Sequence, residues 1–237
     1  MKQFIYSLIF VILCFTNSYS QKSKIDNLPN FDKKPWNFGY YLGVNKNSFV
    51  IDYKKSNYTD ANVKVDAGMG FIIGVIVERR LHKNLSLRFE PGLISNVKKL
   101  YFSNANGSFL TKKDSLREVP STYLHLPILF KFSTDRLRNI KPYAIGGIAL
   151  DYNFSSNQDN PDDNNAGEFR MTKTALMYEV GLGVDFYLPY FKFSPSIRGI
   201  FAVKNELVPD NTGPASPWTA PIDRFATRGI FLKLTFE

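Results

Sequence analysis

The chain of 237 residues contains one cysteine, Cys14, so no disulfide can form within it. Thiolate-based zinc and iron–sulfur sites are excluded for the same reason, because they need several cysteines. Histidine is almost as scarce. Only His82 and His125 occur, which leaves little material for imidazole catalysis or a histidine-rich metal centre. No glycine-rich phosphate loop, HExxH or GxSxG motif is present. Beyond residue 20 no run of about eighteen apolar residues appears, so the sequence predicts no membrane-spanning helix. Acidic residues are outnumbered, 21 against 30 Lys and Arg, for a formal charge of +9. That excess suits an acidic partner surface but names none. The cations are split among separated segments with no recognised motif, so nucleic acid is not an expected partner.

Against these absences stand 44% hydrophobic residues, 22% charged residues, and 21 Phe with 13 Tyr. This is the composition of a folded chain. The first twenty residues are read apart from the fold. Lys2 gives a basic start, Phe4 to Phe15 is a short apolar run, and Ser18-Tyr19-Ser20 offers small residues before Gln21. This is the pattern of a secretory signal peptide. A lipoprotein would use Cys14, but Leu13 stands where a small residue is expected. Loss of Lys2 with the signal lowers the charge from +9 to +8. A cysteine-free exported chain suits a bacterial envelope protein.

The dominant periodicity is two, the signature of strands. Leu85, Leu87, Phe89, Pro91 and Leu93 share one face, and Ser86, Arg88, Glu90 and Gly92 share the other. Leu176 to Phe186 and Gly229 to Phe236 alternate in the same way. Eight such segments are predicted: Phe38–Tyr53, Met69–Arg80, Leu85–Phe102, Thr122–Ser133, Lys141–Phe154, Thr174–Tyr187, Lys192–Lys204 and Phe225–Phe236. Most are longer than soluble strands and fit tilted strands that cross a bilayer. The fifth is ambiguous, because Ala144-Ile145-Gly146-Gly147-Ile148-Ala149 is apolar on both faces.

The connections alternate. Leu81–Asn84, Thr134–Ile140 and Leu188–Phe191 are short, whereas Lys54–Gly68, Ser103–Ser121, Ser155–Lys173 and Asn205–Arg224 are long and polar. Outer-membrane barrels have short periplasmic turns and longer outer loops. The expected fold is therefore all-β, an eight-stranded antiparallel up-and-down transmembrane β-barrel in the cell outer membrane, with both ends periplasmic. Residues 1–20 are the signal peptide, 21–37 a periplasmic N-terminal segment, and 38–237 the barrel. Trp36, Phe38, Tyr40, Tyr101, Tyr187, Tyr190 and Phe193 would form interfacial girdles. The structural rival is a soluble lipocalin-like barrel, with the apolar face inward around a ligand and the charges outside.

In the membrane reading the apolar face meets lipid. The other face then carries Glu78, Arg80, Arg88, Glu90, Lys131, Glu179, Asp185, Arg198 and Lys233, which would be costly in lipid. An eight-stranded barrel is just wide enough for side chains to fill it. The expected lumen is a plug of paired charges, not a pore. His125 shares that face with Tyr123 and Lys131 and is expected to be hydrogen-bonded there, not to act as a general base. No histidine lies in a long loop.

The short turns are basic. Residues 21–37 carry a net +2, residues 79–84 carry +3 and residues 134–141 carry +2, while the long loops sum to −2. Arg79, Arg80, Lys83, Arg136 and Arg138 are candidate residues for docking an acidic periplasmic or membrane-surface partner. Solvation and attraction to lipid headgroups are the plainer reading. Residues 155–167 are rich in oxygen ligands, but their spacing does not match an EF-hand, and a hydrated flexible loop is expected in place of a calcium site. Trp218 is read as an exposed anchor in the last long loop.

Four stretches resemble the outer-membrane β-barrel family common in Bacteroidota. They are Phe89-Glu90-Pro91-Gly92-Leu93, Tyr123 to Phe132, Lys141-Pro142-Tyr143-Ala144-Ile145-Gly146-Gly147, and Gly181-Leu182-Gly183-Val184-Asp185. Within that group, Pro35 to Asn45 and the tail after Ser194-Pro195-Ser196-Ile197-Arg198-Gly199 look like the PorT family. The resemblance covers residues 31–237. It implies a porin-like, non-enzymatic accessory protein of type IX secretion, the route that exports proteases, adhesins and gliding-motility proteins. The implied partners are outer-membrane lipid and secretion-system or periplasmic proteins, with no cofactor and no small-molecule substrate. Glu237 departs from the terminal aromatic common in barrels. The alternatives are a general surface barrel of OmpA/OmpX-like shape, acting in adhesion or envelope structure through its outer loops, and a lipid-modifying barrel enzyme, for which outer-loop catalytic residues are missing.

Overall fold

The structure is a computed structural model that describes residues 26–54, 62–103, 115–213, 216 and 218–237. The signal-peptide reading, and parts of the long loops at 54–68, 103–121 and 205–224, lie outside the described residues. Eight strands cross the fold. They are β1 (Trp36–Tyr53), β2 (Asn62–Asp66 continued by Gly68–His82), β3 (Leu85–Phe89 continued by Gly92–Ser103), β4 (Leu116–Ser133), β5 (Ile140–Asn153), β6 (Thr174–Tyr187), β7 (Lys192–Ala202) and β8 (Ile222–Phe236).

Every neighbouring pair is antiparallel, and the sheet closes on itself. β1 pairs with β8 from Tyr40–Phe236 to Tyr53–Ile222. It pairs on its other edge with β2, from Trp36–Arg79 to Asn47–Gly68. Closure removes the open edges that would otherwise leave backbone groups unpaired. The expected eight-stranded up-and-down barrel is the observed one.

Strand limits differ where sequence alternation was weak. β1 begins at Trp36, β2 reaches back to Asn62, and β4 begins at Leu116 instead of Thr122. The Leu116–Ser121 extension carries polar residues on both faces, Arg117 and Ser121 inward and Glu118 outward, so period two is hidden there. Asn62–Asp66 does alternate, with Val63 and Val65 inward, but is too short to stand out from its polar loop, and pairing with neighbours holds both extended. Leu100 opposite Arg117 and Val97 opposite Pro120 are examples. β3 breaks at Glu90–Pro91, because proline has no N–H for the ladder. The Pro91 carbonyl still accepts the Val75 N–H at 3.0 Å.

Alternation decides the two faces. Leu42, Val44, Phe71, Ile73, Leu93, Ile128, Phe130, Ile148, Val180, Leu182, Ile197, Ile230 and Leu232 point outward and are exposed. Glu78, Arg88, Glu90, His125, Lys131, Glu179, Asp185, Arg198 and Lys233 point inward and are buried. A lipocalin-like arrangement is therefore overturned. The ambiguous fifth segment resolves the same way, with Ile145 and Ala149 inside and Ile148 outside.

One close approach fixes the wall near Glu90. Gly74 and Gly92 face each other across β2 and β3. A Cβ on Gly92 would lie 2.2 Å from the Tyr41 hydroxyl oxygen, and one on Gly74 would lie 2.6 Å from it. The two glycines thus form a slot for Tyr41, whose hydroxyl donates to the Glu90 carbonyl at 2.9 Å.

Candidate functional site

Inward-facing charges from seven strands and from Glu237 meet in one continuous network. At its upper end the His125 ring lies between two carboxylates, with Nδ1 2.5 Å from Asp151 Oδ1 and Nε2 3.2 Å from Glu179 Oε2. Arg198 joins Glu179 at 2.9 Å to Glu90 at 2.7 and 3.1 Å. Lys233 approaches Glu90 at 3.3 Å and Glu179 at 3.6 Å. Arg88 continues downward, 3.3 Å from Glu90 and 2.7 Å from Glu78, and also pairs with Glu237. Lys131 holds Asp185 at 2.7 Å, and Lys192 holds Glu237 at 2.7 Å. Each charge in this stack has an opposite charge within reach, the condition under which burial of ions is tolerable. Lys233 and Lys131 also lie over the rings of Tyr41 and Tyr143, at 4.7 and 4.2 Å. The arrangement fills the lumen with protein.

Eight of the nine residues expected in the lumen lie in this network. Arg80 does not. It sits at the short-turn mouth, where it donates to the Asp32 carbonyl and, at 3.4 Å, to the His82 carbonyl. The reason is its place two residues from the end of β2, below the last layer of lumen carboxylates. Asp151, Lys192 and Glu237 belong to the network but were missed. Strand parity carried the signal for Asp151, since odd residues of β5 point inward. Glu237 is not a loose end. Its backbone exchanges hydrogen bonds with Lys192 at 2.7 and 3.0 Å, and its carboxylate is buried. Lys98, also inward, has its ammonium against the rings of Phe49 and Tyr123 at 4.3 and 5.4 Å.

The long-loop mouth is capped. Phe49, Leu100, Phe102, Val119, Phe169, Met171, Trp218, Ile222 and Phe225 form an apolar cluster above the charges. Trp218 is buried in it, with the Arg117 guanidinium 5.7 Å from its ring, so it is not an exposed anchor. The segment after β5 is likewise ordered, not a loose hydrated loop. Asn164 receives Arg117 at 3.1 and 2.7 Å and donates to Asp210 at 2.9 Å. Asp210 also accepts from Ser216 and Thr219. The loop acids therefore serve as internal acceptors that join the two loops into a lid. Among the described residues no group of three or more His, Cys, Asp or Glu could hold a metal ion.

Asp163 in this lid allows a pH prediction. Desolvation pushes its pKa up, but the backbone N–H groups of Asn211 and Asn165 donate to it at 2.8 and 2.9 Å and hold it below the usual carboxylate range. A carboxyl with a lowered folded pKa stabilises the fold above its unfolded pKa and loses that contribution as pH falls through the folded value. In a Trp36→Phe variant, Trp218 emission is expected to stay constant from neutral pH into the ordinary carboxylate range and to shift red only below it. A red shift already near pH 6 would contradict this.

The short-turn mouth is covered differently. Residues Asp26–Lys34 lie across it. Asn27 N–H donates to Asn139 Oδ1 at 2.9 Å, and its amide donates to the Tyr187 carbonyl at 2.9 Å. Arg136 stacks 3.7 Å from the Tyr187 ring centre and donates to the Asn27 and Leu28 carbonyls. Tyr187, expected in a girdle, is in fact buried at this mouth. Of the five candidate docking residues, Arg80 and Arg136 are engaged by this segment. Lys83 pairs with Asp135 at 3.0 Å, Arg79 lies 5.3 Å from the exposed Trp36 ring, and Arg138 is exposed.

The sequence matches the family described as outer membrane protein beta-barrel domain over residues 19–207. No curated protein matches it. Solved barrels resemble it in shape at low identity. Neisserial surface protein A has 9% identity and a TM-score of 0.46, covering 85% of this chain and 98% of its own. OprG from Pseudomonas aeruginosa has 11% identity and a TM-score of 0.45, covering 84% and 94%. Ail from Yersinia pestis has 10% identity and a TM-score of 0.37, covering 86% and 98%.

Proposed function

The chain belongs to the outer membrane protein beta-barrel domain family, and we propose that it is a non-conducting, non-enzymatic accessory of type IX secretion. The barrel itself resides in the outer membrane, with the apolar belt toward lipid. The observation that carries the accessory reading is the filled lumen: Arg88, Glu90, Glu179, Arg198 and Lys233 are all buried and mutually paired. Such an interior offers no path for cargo, so any part in export is played by the surfaces. The resemblance of Pro35 to Asn45 and of the tail after Ser194 to the PorT family supports the choice of secretion route. The basic short turns support contact with periplasmic proteins.

The test is a gene deletion, with type IX cargo quantified in the medium and in the periplasm, and an unrelated outer-membrane protein as integrity control. Cargo is expected to accumulate in the periplasm with the envelope intact. Normal export would remove the secretion role and move attention to the ordered lid as a surface element.

A further inference from the structure

We propose that the periplasmic mouth is a carboxylate-binding cup, occupied in cis by Asp32, and that an acidic peptide of a periplasmic partner takes its place. The cup is built from three different parts of the barrel. Tyr187, at the end of β6, donates its hydroxyl to Asp32 Oδ1 at 2.7 Å. Lys141, at the start of β5, lies 3.5 Å from the same oxygen, and Arg136, in the preceding turn, lies 3.8 Å from Oδ2. Phe31 packs edge-on against the Tyr187 ring at 6.2 Å, and the Lys192 ammonium lies 4.7 Å from the Phe31 ring. The unit recognised is thus an aromatic residue followed by a carboxylate in a short turn.

Two further observations make the segment a replaceable occupant. No residue of Phe31–Lys33 is buried, and the Asp32 side chain keeps 30% of its exposure. The two ion pairs are long, 3.5 and 3.8 Å, and reach a partly exposed carboxylate; such pairs contribute little each and are screened by salt. The surroundings, by contrast, suit a longer acidic ligand. Arg138, two residues from Arg136 on the same turn, remains exposed beside the cup. Leu137 and Tyr190, on the turns next to Arg136 and Tyr187, are 70% and 92% exposed. An incoming peptide would place a carboxylate on Arg136, Lys141 and Tyr187 and apolar side chains on Leu137 and Tyr190.

This inference deepens the export role proposed above, but its test stands apart from it. The purified full-length barrel in phosphatidylcholine nanodiscs is titrated with a fluorescein-labelled acidic peptide of residues 27–32, which ends on the Phe-Asp pair and omits Lys33, and with its Asp-to-Asn counterpart. Wild type should bind the acidic peptide weakly, because its own segment competes. Asp32→Asn should bind it at least tenfold more tightly, prefer it over the Asn peptide, and lose it when Arg136→Gln is added. Heat-modifiable electrophoretic mobility verifies that each variant is folded. Equal binding by wild type and Asp32→Asn, equal binding of both peptides, or no binding to either protein would overturn the cup. So would loss of peptide binding when phosphatidylglycerol replaces phosphatidylcholine, which would assign the cations to lipid phosphate. Cargo export in the deletion strain can fail or succeed independently of all these outcomes.

Discussion

Replacing Glu90 by Leu is expected to destabilise the folded barrel by about 3–5 kcal/mol, the range found when one member of a buried ion cluster is removed. Glu90 is fully buried and is the acceptor for three cations, Arg198, Lys233 and Arg88. Without it, Arg198 and Lys233 share only Glu179, and Arg88 keeps Glu78 and Glu237. Leucine fills the space but supplies no charge, so three desolvated cations would face one another across it. Glu90→Gln should cost less, because its amide oxygen still accepts. Adding Arg198→Met to Glu90→Leu should cost less than the two single changes summed, since groups in one network are not additive. Guanidinium unfolding in detergent, followed by heat-modifiable mobility and tryptophan emission, measures each value. A loss below about 1 kcal/mol would mean that the charges are solvated like surface pairs, and the filled-lumen account would fail.

The second large effect is expected at the opposite end. Asp210→Ala should loosen the lid while leaving the barrel intact. Asp210 accepts from Asn164 at 2.9 Å, from Thr219 at 3.0 Å and from Ser216, all in buried surroundings. Alanine leaves those donors without an acceptor, a loss of about 3 kcal/mol from a local structure. Since about 1.4 kcal/mol is tenfold in an equilibrium, the lid should open roughly a hundredfold more often. Hydrogen exchange at residues 203–213 and limited proteolysis there report that opening. Global unfolding should shift little, because the strand ladders and the charge network do not pass through Asp210. Unchanged exchange would show that the apolar cluster around Trp218 and Phe225 holds the lid alone.

The sites differ in how far sequence reaches them. Lumen membership followed from parity, so eight of the nine charges expected there are in the network. The same parity continued along β3 and β5 would have added Lys98 and Asp151. Arg80 has the right parity but the wrong depth, and depth depends on where each strand ends relative to its neighbours. Trp218 was misplaced because it lies in a segment without periodicity. Its burial comes from Phe49 and Phe225 on paired strands and from Arg117 on a third. Arg136 and Arg80 are candidates for docking a partner on sequence grounds, because turn cations usually meet solvent. The Asp26–Lys34 segment, which has no strand pattern of its own, captures both.

By itself the sequence determined the class of fold, the number of strands, the ends that carry short and long connections, and the face that meets each solvent. Those are local properties: a period of two assigns sides, and turn residues assign ends. Only the tertiary structure decided which charge meets which. Arg198 and Glu90 are 108 residues apart, and Lys233 and Glu90 are 143 apart. Their contact depends on the register of every intervening hairpin and on closure of β1 against β8. A shift of a single residue in any pairing would turn inward charges toward lipid, so partner choice belongs to the closed ring and not to any segment of it.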